Sequence, residues 1–243
     1  MTAARKFFFL HVMKTAGGTL RRQILANFDR DEVYPLKGLD PDMRRANYRL
    51  DYLLSLPAER RSRIRVFTGH FPFVAVELLG MELTTITILR HPVERTLSYL
   101  RHCKRYHEQH RELSLEEIYE DPFFYPSFIK NHQAKLFAFT VDDDPESYMD
   151  ALEIDPRRLA LAKGNLERVD VVGTQERFDE LLAELERCFG WRLARVKDKH
   201  VNPGGTVPAS LRRRIAEDNH ADMEFFEHAR SLCERRRLAG VVE

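Results

Sequence analysis

The sequence has little of what would make its class obvious at once. Cysteine occurs three times, at Cys103, Cys188 and Cys233. The set is odd in number and widely spaced, which argues against a disulfide framework and for reduced thiols in an intracellular compartment. No stretch nears the roughly 18 consecutive apolar residues that a membrane-spanning helix needs. Arg5-Lys6 ahead of Phe7-Phe8-Phe9-Leu10 mimics a secretory leader, but the apolar run stops at His11 and no Ala-x-Ala site follows. That run is short of the about 7–15 residues of a leader's apolar segment, so it is expected to be a core strand. Excess charge of one sign is missing as well. The 39 Lys and Arg against 38 Asp and Glu leave a formal net charge of +1, and nothing global points to nucleic acid or an anionic membrane as partner. Internal repeats and low-complexity tracts are also absent. What remains is the expectation of a cytoplasmic, globular protein. Its 243 residues can bury one sizeable core, with 43% hydrophobic and 32% charged residues.

Four short apolar runs have the character of buried parallel strands, at 6–12, 63–68, 84–89 and 169–173. Helical spacing lies between and after them. Leu20, Ile24 and Leu25 share a face, as do Val93, Leu97 and Leu100, and later Leu181, Leu182, Leu185 and Phe189. Ser114 with Glu117 spells a capping box, Pro156 follows Asp155, and Pro208 opens a helix rich in arginine. Strands alternating with helices predict an α/β fold, a parallel sheet flanked by helices on both faces. Residues 103–165 carry helical pattern without a strand signal and are expected to form a helical insertion or lid, with VDDDPE (141–146) as a loop inside it. The chain 1–243 is predicted to be a single domain. Basic runs at Arg60-Arg61-Ser62-Arg63, Arg212-Arg213-Arg214 and Arg235-Arg236-Arg237 are first of all solvated helix faces. A surface for an anionic substrate is the sharper alternative.

Two motifs carry chemistry. The first, KFFFLHVMKTAGGTL (6–20), runs from a strand through a turn assigned to Gly17 and Gly18 into a helix, the layout of a phosphate cradle. An ATP-type loop ends in Gly-Lys-Ser/Thr. Here Lys14 precedes the glycines and no lysine follows them. The second, TILRHPVERTLSYLRH (87–102), places Arg90 at a strand end, Pro92 at a helix start and Ser98 on that helix. A strand-end arginine and a helix hydroxyl can converge on one anion at the carboxyl edge of a parallel sheet. A guanidinium fork suits phosphate, and equally a carboxylate.

Taken together, HVMKTAGGTL and LRHPVERTLSYLRH resemble the two cofactor-binding signatures of sulfotransferases. More narrowly, they look like the carbohydrate family that includes heparan-sulfate 2-O- and 6-O-sulfotransferases and many bacterial relatives. RVFTGHF (65–71), DVVGTQERFDELL (170–182) and NHADMEFFEHA (219–229) extend the likeness over most of the chain with weaker signals. The resemblance implies a P-loop-like sulfotransferase fold and the cofactor 3′-phosphoadenosine-5′-phosphosulfate (PAPS), with 3′-phosphoadenosine-5′-phosphate as product and no metal. It assigns Lys14, Thr15, Ala16, Gly17, Gly18, Thr19 and Leu20 to the 5′-phosphosulfate, and Arg90 and Ser98 to the 3′-phosphate. The acceptor implied is a hydroxyl, on a carbohydrate by the same likeness. Three positions depart from the family pattern: Met13 stands where proline is usual, Gly18 where Ser or Thr is common, and His91 where an aspartate is often seen.

The residues suggest roles consistent with this. Lys14 can reach the oxygen that gains charge as a sulfuryl group leaves, and so stabilise the leaving group. His70, just past the second strand end, reads by itself as a histidine satisfied by a backbone carbonyl; the resemblance, whose family has a catalytic histidine at a similar place, makes it the candidate general base, a role that suits an imidazole near neutral pH. His11 is expected to be a packed loop anchor. Cys103, His107 and His110 fall at i, i+4 and i+7, as if on one helix face, a spacing that could hold zinc but lacks a visible fourth ligand. Two other functions compete: a P-loop kinase or NTPase, disfavoured by the missing Gly-Lys-Ser/Thr, and a non-catalytic nucleotide- or glycan-binding module, disfavoured by the presence of Lys14 and His70.

Overall fold

The first strand, β1 (Phe7–Leu10), is buried at every residue. Both of its faces are covered: Phe8 and Leu10 point into one core, Phe7 and Phe9 into another. In this computed structural model, which describes residues 5–144, 152–194 and 206–240, β1 is the centre of a five-stranded sheet. The others are β2 (Val33–Tyr34), β3 (Val66–Gly69), β4 (Thr84–Leu89) and β5 (Val171–Thr174), in the order β2-β3-β1-β4-β5. Every pairing is parallel. Leu10 lies in register with Gly69 on one side and Thr87 on the other, so the chain leaves β1 beside the end of β3.

Each of the four apolar runs overlaps a strand: β4 matches its run, β1 is trimmed at both ends, and β3 and β5 start later and end one residue later. β2 escaped the pattern because it is two residues long; it is held at the sheet edge by pairing Val33 with Val66 and Tyr34 with Phe67. The helices are α1 (Gly17–Leu25), α2 (Met43–Tyr48), α3 (Leu50–Leu54), α4 (Ala58–Arg63), α5 (Val74–Leu78) and α6 (Pro92–Tyr106). They continue with α7 (Leu115–Tyr119), α8 (His132–Ala138), α9 (Pro156–Glu167), α10 (Phe178–Phe189), α11 (Ala209–Asp218) and α12 (His220–Gly240). The caps sit where the sequence placed them. Pro92 is in the first turn of α6, Ser114 and Glu117 form the capping box of α7, and the Asp155 carboxylate accepts from the Arg158 amide at the start of α9.

Two layers cover the sheet. Leu20 and Ile24 of α1 and Leu181, Leu182 and Leu185 of α10 pack against Phe7, Phe9, Ile86 and Ile88. On the opposite face α8, α9 and α12 join Phe8, Leu10 and Leu89. A third cluster, built from Val93, Leu97 and Leu100 of α6 with Ile118 and Ile215, sits beyond the carboxyl edge and takes in Met13. The 103–165 segment therefore divides. α7 belongs to this outer cluster, whereas α8, with all seven residues buried, and α9 are part of the main core. The VDDDPE loop is described only as far as Asp144, the rest lying outside the described residues. No helix among the described residues is long and apolar enough to cross a membrane.

Candidate functional site

The strand order places a crossover on each side of β1: the chain runs first to β2 and β3, then returns to lay β4 and β5 on the other flank. Ligands of open parallel sheets bind at such a reversal, outside the carboxyl ends of the strands. The loop after β1 and Arg90 after β4 both stand there.

The turn out of β1 is not made by its glycines. Lys14 (φ 67°) and Ala16 (φ 71°) hold the left-handed backbone, while Gly17 and Gly18 are the first residues of α1. Such a conformation costs a non-glycine residue about 1–2 kcal/mol, which the surrounding contacts offset. The buried Thr15 hydroxyl donates to the Val12 carbonyl at 2.9 Å, and Met13 packs into the outer cluster, where the Tyr48 hydroxyl meets its sulfur at 3.9 Å. Gly17 is required for space: a Cβ there would stand 2.2 Å from the His11 ring. Gly18 faces open space.

The amides of Thr19 and Leu20 donate to the Ala16 carbonyl at 3.0 and 3.2 Å, closing the first helical turn. Those of residues 14–18 have no acceptor among the described residues. Successive free amides in a turn at a helix start form an anion-binding nest. Of the residues assigned to this cradle, Leu20 is the exception. Its side chain is wholly buried in the sheet-face core and its amide is taken, so it anchors the loop from behind.

Arg90 closes the site from the β4 side. Its Nη1 donates to the Lys14 carbonyl at 3.3 Å, and its Nε is buried with no hydrogen bond. Ser98 lies half-buried on α6, following from the same strand end. Positive charge is concentrated and little opposed here. Burial lowers the pKa of Lys14; Arg90, Arg95 and Arg105 push it the same way and Cys103 opposes. Burial also lowers Arg90, against Glu94 and Glu176. Arg95 is fully buried, donates Nη2 to the Phe128 carbonyl at 2.6 Å, and leaves Nε and Nη1 without partners. Burial carries its pKa down to about 10. His102, lowered by burial and then by Lys14 to about 4, is neutral beside them.

His70 follows β3, with its ring against Tyr48 (4.7 Å between centroids) and His11 (4.4 Å). Its Nδ1 lies 2.6 Å from the His11 carbonyl oxygen. A carbonyl only accepts, so Nδ1 carries the proton and the lone pair is on Nε2. Burial brings the pKa down to about 4, against the hydrogen bond to His11, which raises it. The expectation of a titration near neutral pH is thereby corrected: the imidazole is already neutral well below pH 7. His11 is the packed anchor expected, stacked on Phe9 at 5.4 Å and pressed against Gly17.

Other assignments change. The Cys103, His107 and His110 stripe does not share a helix face, because α6 ends at Tyr106; His110 instead lies 3.3 Å from Asp121. No cluster of three metal-ligating side chains occurs among the described residues. A separate cleft of about 640 Å³ opens past β5, with His91, Thr174, Phe226 and Leu238 on its walls. The arginines that line it, Arg177, Arg230 and Arg235, are paired with Glu234, Glu227 and Glu167.

Two residues of the site were not anticipated. Arg95 shares a helix face with Tyr99 and Cys103, at i, i+4 and i+8, and that spacing could have flagged it. Gln133, which hydrogen-bonds the Arg90 backbone, gives no signal in a single sequence. No family model matches the chain, and no curated protein matches it.

Proposed function

We propose that this protein is a sulfotransferase that moves a sulfuryl group from PAPS to an acceptor hydroxyl, on a carbohydrate. The observation that carries this is the contact of Arg90 Nη1 with the Lys14 carbonyl, which joins the two motifs at one strand-order reversal. The residues present fit such a ligand. The free amides of residues 14–18 suit one phosphate, the partnerless Nε of Arg90 suits a second anionic group, and the surrounding charge is positive. When bound, PAPS supplies an activated sulfuryl group together with a phosphate that can leave.

The roles of this chain's residues follow from where each charge sits. The amides of Ala16, Gly17 and Gly18 would hold the 5′-phosphate, with the half-buried Thr19 hydroxyl beside them, and Arg90 with Ser98 would hold the 3′-phosphate. Lys14, when protonated, would bring an ammonium to the loop that carries the amide nest. A charge placed there lowers a barrier because it acts where negative charge develops. His70, oriented by its Nδ1–H bond to His11, accepts the hydroxyl proton at Nε2. Its low pKa keeps that nitrogen unprotonated at neutral pH.

Calorimetry with adenosine 3′,5′-bisphosphate, adenosine 5′-monophosphate and ATP with Mg²⁺ tests the reading. The bisphosphate should bind best. Arg90→Ala should weaken it by about 1.5–3 kcal/mol, the scale of a charged hydrogen bond, and leave the monophosphate nearly unchanged. Preference for ATP with Mg²⁺ would favour a kinase or NTPase instead. Bisphosphate binding without turnover of PAPS on any hydroxyl acceptor would favour a binding module.

A further inference from the structure

The Arg90 backbone is held by a side chain from another layer of the fold. Gln133, fully buried at the start of α8, accepts the Arg90 amide at Oε1 (3.0 Å) and donates Nε2 to the Arg90 carbonyl (2.8 Å). Both backbone groups of the residue that follows β4 are thus satisfied by one amide side chain. Gln133 is itself fixed. The buried Asp222 carboxylate of α12 accepts the amides of Gln133 (3.1 Å) and Ala134 (2.7 Å). Asn131, in the left-handed conformation (φ 50°), exchanges bonds with the α11–α12 junction: its backbone amide donates to Asn219 Oδ1 at 2.8 Å, and its Oδ1 accepts the Asp222 amide at 3.1 Å. All four side chains are at least nine-tenths buried.

A merely structural arrangement could satisfy the Arg90 amide with a water or a neighbouring strand. Here an all-buried chain of directional bonds runs from α12 through α8 to Arg90, whose guanidinium reaches the Lys14 carbonyl. Such bonds tolerate little displacement, and an unsatisfied member of a buried network is expensive. We propose that Gln133 is a positioning residue: with Asp222, Asn131 and Asn219 it clasps Arg90 so that its guanidinium meets the 3′-phosphate in register with the Lys14 cradle. The proposal rests on the reading of Arg90 given above. It makes discrimination between a 3′,5′-bisphosphate and a 5′-monophosphate depend on a residue that contacts neither.

The test combines hydrogen exchange at the Arg90 amide with calorimetry of adenosine 3′,5′-bisphosphate and adenosine 5′-monophosphate. In Gln133→Met, which keeps length and loses both bonds, Arg90 amide exchange should accelerate and bisphosphate affinity should fall about tenfold. Monophosphate affinity should stay at the wild-type value. Gln133→Glu keeps an acceptor for the Arg90 amide and should retain its protection and more of the affinity. If Gln133→Met does not fold, Asp222→Asn is measured in the same way and should show the same selective loss, smaller in size. A folded Gln133→Met with a protected Arg90 amide, or with equal losses for both nucleotides, overturns the clasp. Equal losses in Arg90→Ala overturn the reading of Arg90 instead, and the two failures are told apart by running that variant alongside.

Discussion

Arg90 and Arg95 differ from the arginines of the three surface runs in what surrounds them. Arg60 meets Asp40 at 2.7 Å, Arg63 meets Glu59, Arg212 meets Glu94, Arg214 meets Glu120 and Arg235 meets Glu167. Arg236 caps the end of α9, donating to the carbonyls of Glu167 and, just beyond it, Val169. These charges are balanced locally, and the bland expectation of solvated faces describes them. Around Lys14 the pairing is looser: Arg90 feels Glu94 and Glu176 and Arg95 feels Asp222, yet each keeps a buried N–H without a hydrogen-bond partner, and burial dominates their pKa values. The sequence shows the surface runs more plainly than it shows the site, because adjacency in sequence makes a run visible whereas convergence in space does not. In a protein of net charge +1, an anion site is marked by uncompensated charge and not by the number of arginines.

The largest expected effect is at His70. His70→Ala should lower kcat by about 10²–10⁴, the usual yield of a general base, with bisphosphate affinity retained. The wild-type kcat/KM should rise with pH through about 4 and then be level with respect to this group, since protonation removes the Nε2 lone pair. Single-turnover rates across pH would show it, and a limb at ordinary histidine values in an otherwise folded enzyme would contradict the burial described. The same shift bears on stability. With a folded pKa of about 4 against the ordinary histidine value of 6.5, the unfolded chain takes up the proton first as pH falls. This contribution to stability is complete above the unfolded value and is lost on the way down through the folded one, which melting temperatures measured from pH 7 to 4 would follow.

Lys14→Ala comes next. Loss of about 10²–10³ in kcat, the range for removing one donor at a site of developing charge, should accompany a much smaller change in bisphosphate affinity. Turnover within a few-fold of wild type would place the leaving-group charge elsewhere.

Within the loop the comparison narrows to two adjacent glycines. Gly17→Ala drives a methyl onto the His11 ring and should destabilise by about 1–3 kcal/mol, as overpacking does. Gly18→Ala meets nothing and should gain about 0.5–1 kcal/mol from its helical position. Urea unfolding of both variants separates a steric requirement from a conformational one.

The smallest effect belongs to the surface. Arg235→Ala breaks an exposed pair 3.6 Å long and should change stability by less than about 1 kcal/mol, with no change in nucleotide binding. A selective loss of bisphosphate affinity there would blur the distinction between the two sets of arginines.

Much of the frame was legible because it rests on local physics. The apolar runs gave four strands, since a strand covered on both faces must be apolar throughout, as Phe7–Leu10 is. Pro92, Ser114 and Asp155 marked helix starts because capping is a matter of a few adjacent residues. Lys14, His70 and Arg90 were legible as candidates from their places at strand ends. Beyond that, local reasoning met its limits. β2 is too short to carry a period, and the turn at 13–16 puts its left-handed residues at Lys14 and Ala16 while the glycines serve space and the helix. The titration of His70 was misjudged because burial depends on Tyr48 and His11, which approach from other parts of the chain.

The order of strands and helices, the caps and the chemical types at the two motifs were set by the sequence alone, because each depends on neighbours within a turn or two. That Arg90 reaches the Lys14 loop, that Arg95 is buried without full pairing and that Gln133 holds the Arg90 backbone were decided only by tertiary structure. Those contacts join residues 33 to 76 positions apart, brought together by the crossover that sets β1 beside β4 and by the packing of α8 beneath the sheet's carboxyl edge. Charge and hydrogen bonding act through distance in space, and no periodicity along the chain records it.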